Sequence, residues 1–249
     1  MLRRRPTCLL LLLAVVAAGG LATTPAQARA TSAQVFVLHG LPGVVTDVVV
    51  DGRTRKAHVS QGSVVGPIAV TAGRHTVSLV AEGRPAIAGT VDVDGGGSVD
   101  VVAHLPAALG GSPLLTAFPN DLSPVGRGKV RLAVAHTAQV PPADIRVDGA
   151  PLLTNVANSE VLSVDVPQRV YSVDIVATGT TSPSFFGPVE LSVSAGTLTR
   201  VFALGSPADG TMDVLVHRLP LTQQGAAVPS SVQTGDGGQV AALLAAARG

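Results

Sequence analysis

Cysteine, tryptophan and aromatic residues in general are scarce in this 249-residue chain. Its single cysteine, Cys8, lies ahead of an apolar run near the N-terminus, and tryptophan is absent. The rest of the chain therefore offers no disulfide, no cysteine-based metal site and no cysteine nucleophile. Five phenylalanines and one tyrosine are too few for the stacked platforms of sugar-binding and single-strand-binding surfaces.

The N-terminal segment has the composition of a secretory signal peptide. Arginines occupy positions 3–5, an apolar run extends from Leu9 to Ala18, and small residues lead to Ala26-Gln27-Ala28. This order predicts a signal peptide at 1–28, cleaved after Ala28, and a mature chain that is secreted, extracellular or associated with the cell envelope. The alternative is a membrane anchor, but the run is shorter than the about 20 residues that span a bilayer. We expect no stable membrane span in the mature chain.

An excess of positive charge is also missing from the mature chain. Loss of the three N-terminal arginines leaves 14 basic and 16 acidic residues, a net charge of about −2. Proteins that bind nucleic acids carry a basic footprint that this balance does not supply, so we expect no nucleic-acid partner. Arginines far outnumber lysines in a chain rich in alanine, glycine and valine, which favours a bacterial source.

An internal repeat divides the mature chain into two. Three features recur at an offset of 97 residues: a histidine that ends an apolar run, an aspartate after a loop, and an Asp-Gly pair. They are His39, Asp47 and Asp51-Gly52 in the first half, and His136, Asp144 and Asp148-Gly149 in the second. A shared offset indicates a duplicated unit. We predict repeats at 33–122 and 129–220, followed by a flexible low-complexity tail at 222–249.

Both repeats have the sequence pattern of all-β modules. Valine-rich runs are separated by clusters of glycine, proline, asparagine and aspartate, and no helical period of useful length precedes the tail. In the first repeat the runs lie near residues 34–39, 46–51, 66–71, 75–81, 86–94, 98–104 and 113–118. Each Asp-Gly pair supplies the positive φ angles of a two-residue hairpin turn. We therefore predict two tandem immunoglobulin-like or transthyretin-like β-sandwich modules of about seven strands each.

Several of these stretches resemble the bacterial domain-of-unknown-function 4397 family. The resemblance rests on the runs around His39 and His136, on Ala72–Val77 and on Leu114–Asp121, and it covers roughly residues 33–220. It implies a secreted or envelope protein, often with the module in tandem, and it implies no particular activity. The second repeat departs from the family pattern at Pro167-Gln168-Arg169, where the usual Ala-Gly turn is missing.

The repeated histidines and aspartates are the most site-like residues in the chain. Strand alternation places each histidine on the same face as the buried valines of its run, at the inner rim of its sandwich. A metal site needs three or four converging ligands, whereas each repeat offers one histidine and one carboxylate. We interpret these residues as structural: His39, Asp47, His136 and Asp144. No catalytic residue, metal or other cofactor is predicted.

One acidic stretch superficially resembles a calcium loop. Asp92-x-Asp94 precedes Gly95-Gly96-Gly97 and Asp100, but the acidic residue at the twelfth position of an EF-hand loop is missing. The second repeat has serines where the first has Asp92 and Asp94. We predict a hairpin turn between two strands instead. The motifs of serine hydrolases, zinc helices, phosphate-binding loops and dinucleotide sites are also missing.

These observations favour a non-catalytic protein outside the cytoplasm. We expect a binding, adhesion or spacer role, with an unknown protein or cell-wall component as partner. Two alternatives stay open. One is a secreted hydrolase or metal-dependent enzyme whose site is assembled from loops. The other is a small-ligand carrier, for which a hydrophobic pocket between the modules would be the sign.

Overall fold

Strands account for the regular structure of residues 31–222, the part of the chain that the computed structural model describes. The first half contains β1 (Ser32–His39), β2 (Thr46–Val50), β3 (Arg53–Val59), β4 (Ser63–Thr71), β5 (Gly73–Ala81), β6 (Arg84–Val93), β7 (Ser98–His104) and β8 (Leu114–Pro119). The second half contains β9 (Lys129–His136), β10 (Ala143–Val147), β11 (Ala150–Val156), β12 (Val161–Pro167), β13 (Val170–Ala177), β14 (Ser184–Ser192), β15 (Thr197–Leu204) and β16 (Asp213–Pro220). No helix of the described residues could cross a membrane. The predicted signal peptide and, from residue 223 on, the predicted tail lie outside the described residues.

The two halves have the same strand order. The first half forms the sheets β4-β1-β7-β8 and β3-β2-β5-β6, and the second forms β12-β9-β15-β16 and β11-β10-β13-β14. Adding eight to each strand number converts one half into the other. β1 pairs in parallel with β7, and β9 pairs in parallel with β15. The predicted all-β class with sandwich modules is confirmed.

Within each half, the two sheets face each other across an apolar core. In β1 to β8, here named the first sandwich, Val35 and Val37 of one sheet pack with Val48, Val50 and Leu79 of the other, and all five are fully buried. In β9 to β16, the second sandwich, alternate residues of β9 and Val201 of β15 pack in the same way on β10 and β13. A fully buried valine or leucine contributes about 1.5–3 kcal/mol, so these cores supply most of the driving force for folding.

The Asp-Gly pairs form the hairpin turns that the sequence predicts. Asp51 and Gly52 have φ angles of 51° and 70°, and Asp148 and Gly149 have φ angles of 52° and 80°. Two consecutive positive φ angles are the signature of a type I′ turn, whose twist matches the strands on either side. The aspartate side chain also binds a neighbouring strand of the sheet, since Asp51 Oδ1 accepts the N–H of Thr76 in β5 at 3.0 Å.

The prediction of seven strands per module missed β3. This strand carries Arg53, Arg55 and Lys56, and Val59 is its only buried residue. It lies at the edge of its sheet, where charged side chains discourage pairing with another chain. Because both faces are exposed, the strand lacks the apolar alternation by which the other strands were recognised.

The predicted hairpin turn at residues 94–97 is wrong. β6 belongs to one sheet of the first sandwich and β7 to the other, so this loop crosses between sheets. The Gly96 N–H donates to the Ser32 carbonyl at 2.9 Å, which ties the crossing to the start of β1. A short glycine-rich loop between two strands has the same sequence pattern in both arrangements, and only the pairing partners distinguish them.

A further apolar core joins the two sandwiches. Every residue of β7 is buried, because one of its faces lies on the core of the first sandwich and the other on the second sandwich. The side chains that form this joint are Phe36, Leu38, Val102 and Phe118 of the first sandwich and Leu198, Phe202, Leu204, Leu215 and Leu219 of the second. Sheet β4-β1-β7-β8 therefore packs on β12-β9-β15-β16, its counterpart in strand order.

Candidate functional site

Both repeated histidines lie at the end of a central strand and bind the loop that follows it. His39, at the end of β1, is fully buried, and its Nδ1 accepts the Leu41 N–H at 3.3 Å. His136, at the end of β9, is 2% exposed, and its Nε2 donates to the Pro141 carbonyl at 3.1 Å. Burial lowers the pKa of both rings, which favours the neutral forms. Each ring therefore holds a loop against its sandwich.

A third histidine, which sequence analysis did not single out, lies on β7 between the sandwiches. His104 is fully buried, and its Nδ1 lies 2.9 Å from the Leu105 carbonyl. Because a carbonyl can only accept, Nδ1 carries the proton, and Nε2 accepts from the Thr116 hydroxyl at 2.8 Å. Burial lowers the pKa of His104, and the nearby His136 of the second sandwich lowers it further. His104 has no histidine counterpart in the repeat, so no sequence signal marked it.

The two repeated aspartates stabilise irregular backbone in a neighbouring strand. Asp47 Oδ1 accepts the His58 N–H at 3.0 Å, and Asp144 Oδ1 accepts the Asn155 N–H at 2.8 Å. His58 and Asn155 both have a φ angle of 55°, an uncommon conformation for residues other than glycine. Asp144 also accepts the Gly179 N–H at 2.9 Å, and these backbone donors lower the pKa of Asp144.

The structure does not combine these residues into one site. Within residues 31–222, no hydrogen bond or ion pair joins His39 to Asp47 or His136 to Asp144. The same range contains no group of three or more histidine, aspartate or glutamate side chains that could hold a metal ion. The repeated polar residues hold loops and bulges in place.

The most concentrated buried charge lies at the joint between the sandwiches. Asp100 of β7 is fully buried, and its Oδ2 lies 3.1 Å from Arg200 Nη1 of β15, a residue that is 4% exposed. The other carboxylate oxygen accepts from His217 Nδ1 and from Asn120 Nδ2, both at 3.0 Å. The sequence showed Asp100 only beside a stretch with a superficial resemblance to a calcium loop, and the structure places it in this ion pair.

Arg200 also donates hydrogen bonds to backbone groups of the first sandwich. Its guanidinium donates to the carbonyls of Phe118 at 2.9 Å and Pro119 at 2.8 Å. Burial lowers the pKa of Arg200, and the adjacent Asp100 opposes that shift. A buried ion pair persists only when its remaining polar atoms also have partners, as most do in this cluster.

Asp100 and Arg200 occupy equivalent positions in the two sandwiches. His39 pairs with Ala103 across β1 and β7, and His136 pairs with Ala203 across β9 and β15. The residues three positions before these alanines are Asp100 and Arg200. The ion pair therefore joins equivalent positions of the two sandwiches. In an interface between two like surfaces, equivalent positions meet near the twofold axis.

The Asp100–His217 pair has the geometry of two members of a catalytic triad. Asp100 accepts from Nδ1, so Nε2 of His217 is the nitrogen that would take a proton from a nucleophile. Among the described residues, no serine or threonine hydroxyl forms a hydrogen bond with His217. The ring instead packs against Phe36, with centroids 4.5 Å apart, and the residue is 8% exposed. The arrangement orients a histidine in the interface between the sandwiches.

One part of the chain matches a known protein family. Residues 33–143 match a family model described as Domain of unknown function (DUF4397). This range contains the first sandwich except Ser32, the connection to β9, β9 itself and the first residue of β10. No curated protein matches the chain.

Proposed function

We propose that this chain, whose residues 33–143 match the DUF4397 family model, is an exported, non-catalytic protein of the cell envelope or extracellular space. Its two joined sandwiches would serve as a rigid binding, adhesion or spacer unit. The partner class is a protein or a cell-wall component. We further propose that the second sandwich, which the family match barely enters, is a second copy of the same domain.

The observation that carries the non-catalytic proposal is where the polar groups lie. His39, His104 and Asp100 are fully buried, and each is bonded to a loop, a neighbouring strand or the opposite sandwich. A general acid, base or nucleophile must reach a substrate atom within about 3 Å, directly or through one water. Groups that are buried in the joint or beneath its loops cannot do so without opening the structure.

The proposal of a second copy rests on three repeated features. Strand order is the same, the Asp-Gly turns have the same φ signs, and Asp47 and Asp144 both bind a residue with φ near 55°. The duplicated sequence offset of 97 residues agrees with these features. Two sandwiches joined through a buried core keep a fixed separation, which suits a spacer.

Fractionation of a bacterium that expresses the full chain tests the export proposal. The expected product begins near Arg29 and is recovered outside the cytoplasm. A matched variant with Leu11→Arg and Leu12→Arg interrupts the apolar run and is expected to stay inside with Met1 retained. Export of the double variant, or an exported wild type that keeps Met1, would contradict the proposal.

An activity screen tests the alternative of a secreted enzyme. The full chain would be assayed against ester, glycoside and peptide substrates, with metal content measured in parallel. We expect no turnover and no stoichiometric metal. Turnover that is lost in a folded His217→Gln variant would replace the binding or spacer role by catalysis at the Asp100–His217 pair.

A further inference from the structure

The second sandwich encloses an apolar cavity of about 240 Å³ between its sheets. Twelve of its thirteen lining residues are apolar, and the remaining one is Glu190 of β14. The lining includes Val189, which is 40% exposed, so the cavity reaches the surface at this edge strand. The carrier alternative placed such a pocket between the modules. This cavity lies inside the second sandwich, whereas the side chains between the sandwiches form an apolar core of their own.

The first sandwich closes the equivalent space with a leucine over a glycine. A Cβ atom added to Gly89 of β6 would lie 3.0 Å from Leu115 Cδ2 of β8, so the leucine occupies the space above the glycine. Gly89 lies opposite Val77 and Leu115 opposite Ala103. The same register in the second sandwich gives Val189 opposite Val173 and Val214 opposite Ala203. Two valines thus replace a complementary glycine and leucine, and both line the cavity.

We propose that this cavity is a binding site for one medium-length alkyl chain with a neutral or cationic head group. A dry cavity of about 150 Å³ lined by leucine, isoleucine and phenylalanine holds one benzene, or about 25 Å³ per carbon, so 240 Å³ suits about nine or ten carbons. Glu190 is the only charged lining residue, and its carboxylate repels an anionic head group and attracts a cationic one.

The site goes beyond the proposed function and does not depend on it, because a spacer or a binding module could equally carry such a ligand. It also lies largely outside the family match. That match ends at residue 143, whereas eleven of the thirteen lining residues follow it. The cavity is therefore a feature of the second sandwich that the family assignment does not account for.

Titration of the chain lacking residues 1–28 with decan-1-ol, decylamine and decanoate tests the site. We expect saturable binding of one molecule of the alcohol or the amine. We expect decanoate to bind about tenfold or more weakly, and Glu190→Gln to remove most of that difference. Tetradecan-1-ol should bind no better than decan-1-ol. Equal binding of the three head groups, no saturable binding, or binding that appears only after residues 223–249 are removed would overturn the proposal.

A pair of substitutions gives the second sandwich the glycine and leucine that close the equivalent space in the first. Val189→Gly with Val214→Leu is expected to weaken decan-1-ol binding at least about tenfold while the protein stays folded. The reciprocal Gly89→Val with Leu115→Val, in the first sandwich, should leave that affinity unchanged. If the first pair impairs folding, Val216→Phe fills the cavity from β16 and should have the same effect on binding. Unchanged affinity in folded variants of both kinds would overturn the site.

Discussion

Asp100 in the first sandwich and Arg200 in the second occupy equivalent positions on β7 and β15, yet carry opposite charges. A joint between two identical surfaces would bring two like charges together at this point, and burial would make that contact strongly unfavourable. The opposite charges allow the two sandwiches of one chain to pair with each other and disfavour pairing between like sandwiches. Two sandwiches with the same strand order can thus differ at one buried pair of positions that biases which surfaces pair.

Other differences between the sandwiches lie at their edges. The edge strand β3 exposes Arg53, Arg55 and Lys56, whereas β11, its counterpart, contains only uncharged residues and Pro151. Lysine and arginine side chains on an edge strand discourage unwanted strand pairing, and so does a proline there. The sandwiches thus protect equivalent edges by different means, while the turns and bulge-binding aspartates inside them stay the same.

The largest expected effect comes from breaking the charge difference at the joint. Asp100→Asn leaves the Arg200 guanidinium buried without its counter-charge, and we expect the free energy of unfolding to fall by about 3–5 kcal/mol in urea denaturation. Asp92→Asn is the matched control, since the Arg74–Asp92 pair is mostly exposed; its effect should be within error. Equal losses in the two variants would contradict a structural role for the buried pair.

Acidification should weaken the joint and the histidine-bound loops. Burial lowers the pKa of His39, His104 and His136 from the ordinary value of 6.5. Below about pH 6.5 the unfolded chain binds protons that the folded chain does not, so stability falls by up to about 1.4 kcal/mol per pH unit for each ring. His75 acts in the opposite direction: burial opposes protonation, but the hydrogen bond to Asp51 leaves its pKa raised.

Urea denaturation at pH 7.5, 6.5 and 5.5 measures this pH dependence. His104→Leu copies the residue of the second sandwich, Leu204, and removes one of the three buried rings. It should reduce the loss of stability between pH 6.5 and 5.5. A wild type whose stability is constant or rises as the pH falls through this window would contradict the account.

Removal of a repeated histidine should cost less than loss of the buried pair. His136→Ala leaves the Pro141 carbonyl without its donor, and an unpaired buried polar group costs about 1–3 kcal/mol. The melting temperature should fall, and a chelator should change neither protein. His39→Ala is the matched substitution in the first sandwich. Stoichiometric metal in the wild type that disappears in His136→Ala would show that the ring is a ligand.

The smallest expected effect is a difference in stability between substitutions of Asp47 and Asp144, the two aspartates that bind irregular backbone. Asp144 accepts two backbone N–H groups, and Asp47 accepts one. Because one such bond contributes about 1 kcal/mol, Asp144→Ala should destabilise the protein by about that much more than Asp47→Ala. Equal effects on the urea midpoint would indicate that the second bond to Gly179 contributes nothing.

Local features of the fold could be predicted because their signals are local. The valines that alternate along β1 and the Asp-Gly pairs specify buried faces and turns within a few residues. β3 was not predicted because Arg53, Arg55 and Lys56 leave it without the apolar alternation that identifies a half-buried strand. The loop at 94–97 was misassigned because sequence does not distinguish a turn within a sheet from a crossing between sheets.

The joint and the cavity could not be predicted because they depend on contacts between distant residues. Asp100 and Arg200 are separated by 100 positions, and neither forms a recognisable motif with its neighbours. The sequence held one signal of the joint. The run from Val99 to Ala103 in β7 contains a single charged residue, as expected for a strand that is buried on both faces. The cavity is lined by Val189 and Val214, and only the strand register shows that these valines correspond to Gly89 and Leu115 of the first sandwich.

The two sandwiches are joined by a buried core, and we expect them to behave as one folding unit. Tyr171 is the only tyrosine of the chain, and no tryptophan is present, so tyrosine fluorescence reports on the second sandwich alone. Far-ultraviolet circular dichroism reports on the strands of both. Urea unfolding followed by both probes should give coincident transitions. A fluorescence transition that is clearly separated from a second transition seen only by circular dichroism would show that the sandwiches unfold independently, and it would contradict the account.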